Sequence, residues 1–212
     1  LNLLAAVALL VWGTQLVRTG ILRVFGASLR QIIARSVRTP VTAALSGVGV
    51  TAVVQSSTAT ALIVSSFVGQ GLIALPAALA VMLGADVGSS VMAVVFSLDL
   101  SWLSPLCIFV GVVLYVPRPD TTVGRMGRVF IGLGLMLLAL RLITEATTVL
   151  TQSDTVRALL GALASDLAME LTMGALLALV SYSSLATVLL TATLVGSGGI
   201  PVTVALGLVL GA

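Results

Sequence analysis

The sequence predicts an all-α polytopic membrane protein built from two inverted-topology repeats, each with a re-entrant helical hairpin and the second truncated. Composition comes first: 59% of the 212 residues are hydrophobic and 8% are charged, with a mean hydropathy of +1.25. Ordinary soluble domains carry roughly 25% charged residues. Uncharged runs then cover residues 1–17, 39–85, 100–117 and 171–212, and a bilayer-spanning helix needs about 20 mostly apolar residues. A secretory leader ahead of a soluble body does not fit, because the apolar runs continue along the chain. Finally, one polar motif is written twice, as Gln55-Ser56-Ser57-Thr58-Ala59-Thr60 and as Tyr182-Ser183-Ser184-Leu185-Ala186-Thr187. Residues 47–85 laid on 174–212, an offset of 127, agree at 16 of 39 positions without a gap. Hydroxyl clusters inside hydrocarbon-length segments cost free energy unless they bind something. Their duplication points to two halves of one binding site, as in transporters made of structural repeats.

The first repeat takes in residues 1–120. Residues 1–25 read as a first span. Residues 26–38 read as an interfacial segment, with Arg30, Arg35 and Arg38 beside Leu29, Ile32, Ile33 and Val37. The uncharged stretch 39–85 is too long for one helix, yet it does not divide into two full spans around the motif. Its arms, 40–54 and 59–70, hold 15 and 12 residues, or about 22 and 18 Å of helix. Both fall short of a hydrocarbon core of roughly 30 Å. A hairpin over about 40–69 that enters and leaves by one face, with residues 55–58 at its tip, fits better. Broken backbone at that depth is tolerated only where it is buried in protein or lines a polar cavity. Residues 72–97 make a second span, expected to break near Gly84-Ala85-Asp86-Val87-Gly88. Residues 101–117 make a third, closed by Pro117-Arg118-Pro119-Asp120.

The second repeat, 121–212, follows the same plan. Residues 128–150 echo the first span and 153–169 form a second interfacial piece. A hairpin over about 170–197 has arms 171–181 and 186–195, and Gly196-Ser197-Gly198-Gly199 marks its exit. Residues 200–212 begin another span, in which Ala212 aligns with Ala85, one position before the partner of Asp86. The expectation is therefore a second repeat that lacks its last spans. Three crossings in the first repeat start the second from the opposite side, which makes the repeats inverted. With the N-terminus outside, Arg18, Arg23, Arg30, Arg35, Arg38, Arg118, Arg125 and Arg128 share one face, which the positive-inside rule names cytoplasmic.

Enzymatic chemistry finds little material. The sequence has no His and no Lys, so a membrane-embedded serine nucleophile would lack its usual base. Cys107 stands alone, which excludes an intrachain disulfide and a Cys/His metal cluster. Hydroxyls, by contrast, both donate to oxyanions and offer hard oxygens to alkali cations. Scattered Thr14, Ser46, Ser104 and Thr172 read as hydroxyls bonded back to their own helices or aiding packing. Arg141 and Glu145 read as an i,i+4 pair. Asp86 is the one carboxylate placed well inside a span next to a glycine break, whereas Asp99, Asp154, Asp166 and Glu170 look like loop or interface residues. The glycines Gly47, Gly49, Gly84, Gly88, Gly132 and Gly134 read as positions of close helix approach.

The Gln-Ser-Ser-Thr motif, its partner in the second hairpin and the segment Leu83-Gly84-Ala85-Asp86-Val87-Gly88-Ser89-Ser90 resemble the type II sodium/phosphate cotransporters. The similarity is greatest to the short bacterial inner-membrane members associated with phosphate export, and runs through essentially the whole chain. It implies secondary active transport coupling sodium ions to inorganic phosphate by alternating access. It also implies a multi-pass location in the bacterial inner (cytoplasmic) membrane, sodium as coupling ion with no other cofactor, and no nucleic-acid partner; a homo-oligomer fits as well. Ser56, Ser57, Thr58, Ser183 and Ser184 are the expected phosphate ligands, and Gln55, Thr60, Asp86 and Thr187 the expected sodium ligands. The chain departs from the family pattern at Tyr182, where Gln is usual, at Leu185, where a third hydroxyl often stands, and at Asp86, where many relatives carry Asn. A passive phosphate or anion channel, and a membrane scaffold or sensor whose hydroxyls only join helices, are the alternative readings.

Overall fold

The computed structural model describes residues 2–36, 39–98, 100–150, 166–181 and 183–212, the last three of 100–150 by backbone only. All elements among them are helical. They are α1 (Asn2–Ser36), α2 (Pro40–Val54), α3 (Ser57–Gly69), α4 (Leu75–Ser97), a 3-10 turn (Ser101–Leu103), α5 (Ser104–Tyr115), α6 (Thr122–Leu150), α7 (Leu167–Ser181), α8 (Ser184–Gly196) and α9 (Val202–Gly211). Among the described residues three helices are long and apolar enough to cross a membrane: Asn2–Ser36, Leu75–Ser97 and Thr122–Thr147.

Three expectations need correcting. Residues 26–36 are not a separate interfacial piece, because α1 runs unbroken for 35 residues, about 52 Å. Leu29 and Ile33 are buried, and one glycine costs a helix only about 1 kcal/mol, so Gly26 does not stop it. Nor is α4 broken at residues 84–88; it is helical throughout. The 101–117 segment is shorter than a crossing: its 3-10 turn and α5 span 15 residues, about 24 Å, before Pro117 and Pro119 close it. Most of the expected 153–169 interfacial piece, with Asp154, lies outside the described residues, as do Val37, Arg38, Asp99 and Tyr182.

The chain divides into two compact units. One holds residues 15–95 and 109–131, and the hairpin α2–α3 with α4 forms its most regular part. Thr39 begins α2 as a capping box: its Oγ1 accepts from the Thr42 N–H at 3.2 Å while the Thr42 hydroxyl lies 3.3 Å from the Thr39 N–H. Pro40 follows at the first helical position, where its missing N–H costs nothing. Gly71, at φ +70°, turns the chain from α3 toward α4. α2 and α4 then pack backbone to backbone. A Cβ at Gly47 would strike the Val81 carbonyl and one at Gly84 the Ala44 carbonyl, so only glycine allows this approach.

The other unit holds residues 1–14, 96–108 and 132–212. Within it α7, α8 and α9 reproduce the same construction, displaced by 127 residues. Gly174 abuts the Leu208 carbonyl and Gly211 the Leu171 carbonyl, and Gly198, at φ +72°, makes the turn after α8. The repeat read in the sequence is thus a repeat of packing contacts. The isolated hydroxyls fall as expected. Thr14, Ser46 and Thr172 donate to carbonyls three residues back, and Ser104 donates across to Gly134 at 2.7 Å. Glu170 departs from expectation: it is buried within α7 with its side chain against Gly207 of α9.

Candidate functional site

The first hairpin turns at Gln55 and Ser56, and in the second Ser183 repeats the capping geometry of Ser56. In the first, Gln55 takes a left-handed backbone (φ 55°, ψ 32°) while its N–H donates to the Thr51 carbonyl at 2.7 Å. Ser56 is extended (φ −153°, ψ 103°) and its Oγ accepts from the Ala59 N–H at 3.2 Å, so it caps α3. In the second, Ser183 is extended (φ −156°, ψ 110°) and its Oγ accepts from the Ala186 N–H at 3.1 Å, capping α8. Tyr182 lies outside the described residues.

A buried hydroxyl pair locks each reversal. Thr60 Oγ1 lies 2.8 Å from Thr51 Oγ1, and both residues have 0% exposure. In one continuous helix these residues would stand about 13 Å apart, so their contact requires the chain to double back. In the second hairpin Thr187 Oγ1 lies 3.4 Å from Ser181 Oγ. Thr60 and Thr187 also each donate to the carbonyl of the capping serine at 3.3 Å. The pairing of Thr51 with Thr60, and of Ser181 with Thr187, is not legible in the sequence. The nine-residue spacing of Thr51 and Thr60 means nothing until the turn is placed, and Ser181 aligns with apolar Val54.

Several polar groups at the links are left without intrahelical partners. The Ser57 and Thr58 N–H groups occupy the first two positions of α3, where no intrahelical acceptor exists, and Ser184 and Leu185 hold the same positions in α8. Ser57 and Ser184 are half-buried and Thr58 is exposed. Ser56 and Ser183 use their oxygens as cap acceptors, which leaves their O–H protons to donate. Helix N-termini with spare N–H and O–H donors suit an oxyanion. Gln55 supplies the opposite chemistry. It is 7% exposed and its Oε1 is buried without a hydrogen-bond partner, which leaves an acceptor carbonyl aimed at no donor. Such an atom is costly unless a cation or water meets it.

The structure brings Gln55, Ser56, Ser57, Thr58 and Thr60 together at one tip, and Ser183, Ser184 and Thr187 at the other. It does not bring Asp86 to the first tip. Gly84 and Gly88 press on α2, and Asp86 lies two residues from each, about 200° around the helix. Its side chain is exposed, and Ser89 and Ser90 donate to its backbone carbonyl at 2.9 Å each. Among the described residues no group of His, Cys, Asp and Glu is arranged to hold a metal ion.

Three apolar helices of spanning length among the described residues define a helical membrane protein, and it carries two hairpins with hydroxyls at their turns. The chain belongs to the Na+/Pi-cotransporter family, which matches residues 9–145, more than half of its length and inclusive of the first motif. It is 55% identical over all 212 residues to proteins of Escherichia coli K12, Salmonella typhimurium and Shigella flexneri, each named "Putative inorganic phosphate export protein YjbB". The chain spans 39% of the length of those relatives. No solved structure matches it.

Proposed function

We propose that this chain takes part in moving inorganic phosphate across the membrane, coupled to sodium by alternating access, with the two motif-bearing links as halves of one site. The observation that carries the reading is the identical cap at Ser56 and Ser183, each followed by a helix start with spare donors. Family membership and the names of the relatives supply the substrate.

In this reading Ser56, Ser57, Thr58, Ser183 and Ser184 donate to phosphate oxygens, helped by the N-termini of α3 and α8. Each terminus presents roughly half a positive charge. The chain has no Lys or His, so sodium offsets what remains of the anion's charge. Gln55 Oε1 and the Thr60 hydroxyl oxygen offer hard acceptors to sodium in one half, and Thr187 in the other. Asp86 would serve a separate cation position on the outer face of α4. Each hairpin enters and leaves the bilayer by one side, and the clustering of arginines argues for opposite orientations of the two.

The test is uptake of labelled phosphate into proteoliposomes. A sodium gradient is expected to drive it, and Ser57→Ala or Ser184→Ala to abolish it without unfolding the protein. Flux indifferent to sodium removes the coupling and leaves a passive channel. Wild-type rates in both variants remove the site.

A further inference from the structure

The unit that carries the first hairpin holds more positive charge than its own residues answer. Residues 15–95 and 109–131 contain eight arginines against two acids, Asp86 and Asp120. Some of these guanidiniums are engaged. Arg125 donates to the Arg23 carbonyl at 3.4 Å, and Arg128 donates to the Tyr115 hydroxyl at 3.2 Å with its charge 5.5 Å from the centre of that ring. Arg18 and Arg30 are not engaged: neither makes a hydrogen bond or ion pair among the described residues. Both line one cavity of about 460 Å3 between α1 and α3, and neither acid of the unit reaches it. An unanswered cation on a membrane helix marks a ligand by default.

The wall sets what the cavity can hold. On α1, Arg18, Leu22, Gly26 and Arg30 follow one another at four-residue steps, and Leu62 and Ile63 of α3 complete the space. The remaining positions are alanines, so the two guanidiniums are the wall's only polar side chains. Leu62 is 64% exposed, and the cavity therefore opens outward past the flank of α3. α1 is also about 52 Å long against a hydrocarbon core of roughly 30 Å, and its four charges all lie beyond residue 17. That part of the helix reaches the headgroup layer. An occupant that satisfies such a wall needs anionic oxygens for the arginines and hydrocarbon for the rest. A hydrated inorganic anion meets only the first condition.

We infer that this cavity seats an anionic phospholipid, its phosphate oxygens drawn to Arg18 and Arg30 and an acyl chain laid along Leu22 and Leu62. The planar fork of arginine suits a phosphodiester, which it can meet with two parallel hydrogen bonds. Basic pockets between membrane helices on the cytoplasmic side take such headgroups, and the positive-inside rule names this end of α1 cytoplasmic. Gly26 agrees with the assignment: a Cβ there would meet no atom within 4 Å, so this glycine serves no close packing of helices and leaves the space open. The site concerns the lipid around the protein and does not depend on the phosphate-transport reading.

Native mass spectrometry of the full chain tests this by counting lipid retained from a neutral detergent that holds equal amounts of phosphatidylglycerol and phosphatidylcholine. Thermal unfolding checks that each variant is folded. The wild type is expected to retain phosphatidylglycerol in preference. Arg18→Gln and Arg30→Gln should each lower that preference about fivefold, the worth of one cation beside an anionic headgroup. Arg118→Gln, exposed and outside the cavity, should leave it unchanged. Gly26→Leu fills the space and is expected to abolish retention in a protein that still unfolds at the wild-type temperature or above. Equal retention of both lipids by the wild type overturns the proposal, as does an unchanged preference when both arginines are replaced. An equal loss in Arg118→Gln also overturns it, because net charge then accounts for the binding. If the arginine variants do not fold, Gly26→Leu decides, and undiminished retention there removes the site. Displacement of phosphatidylglycerol by millimolar inorganic phosphate overturns the lipid assignment and makes the cavity a small-anion site.

Discussion

Replacing Thr60 with valine keeps the shape of the side chain and removes its hydroxyl from a site closed to bulk solvent. Thr51 and Thr60 both have 0% exposure and their hydroxyls are 2.8 Å apart. Thr60→Val therefore leaves the Thr51 hydroxyl with its cross-helix partner gone, at a cost of about 1–3 kcal/mol. Thr51→Val should cost a similar amount. The double variant removes both polar groups and leaves two apolar side chains in contact, which is expected to cost less than the sum of the single changes by about 1–2 kcal/mol. That coupling reports the reversal at Gln55 and Ser56. Were the segment one continuous helix, the two positions would lie about 13 Å apart and their effects would add to within about 0.5 kcal/mol. Equilibrium unfolding of the four proteins in detergent, followed by circular dichroism, measures the cycle. Strict additivity would refute the hairpin and with it the geometry of the first tip.

Gln55→Gly tests a division of labour at the same link. Glycine removes the left-handed penalty of roughly 1 kcal/mol and the orphaned Oε1, so stability should hold or rise by up to about 1 kcal/mol while the sodium dependence of phosphate flux falls. A loss of more than about 2 kcal/mol in thermal or chemical unfolding would instead make Gln55 structural. Gly84→Val and Gly211→Val each drive a side chain into a facing backbone carbonyl. Each should cost about 3 kcal/mol or more, seen as loss of monodisperse protein in size-exclusion chromatography, and equal destabilisation by Gly49→Val, which meets no neighbour, would undo the packing argument.

Much of this was legible because length and polarity are strong constraints in hydrocarbon. The first arm, Pro40–Val54, fell where arithmetic on the uncharged run placed it, since Thr39 and Pro40 start a helix chemically and the polar motif stops it. The second arm begins at Ser57 rather than at residue 59, because Ser56 spends its side chain on capping. What misled was glycine. Gly84 and Gly88 sit beside a charge, which suggests a break, yet their role is to admit the α2 backbone, and a helix keeps its hydrogen bonds through such contacts. The arginines of 26–36 suggested a separate helix at the interface, while the backbone of α1 continues through these residues with Leu29 and Ile33 buried. Glu170 looked peripheral because its neighbour on α9, Gly207, is 37 positions away in the chain. Pairings of that kind leave no trace in a single sequence.

The central claim is that the serines of both links grip one phosphate ion, and thiol labelling tests it most directly. Ser57→Cys and Ser184→Cys are introduced singly into the full chain, where buried Cys107 contributes little background, and modification is timed with and without phosphate and sodium. The account predicts that phosphate with sodium slows labelling at both positions over the same concentration range. Protection at one position only, or at neither, would contradict it.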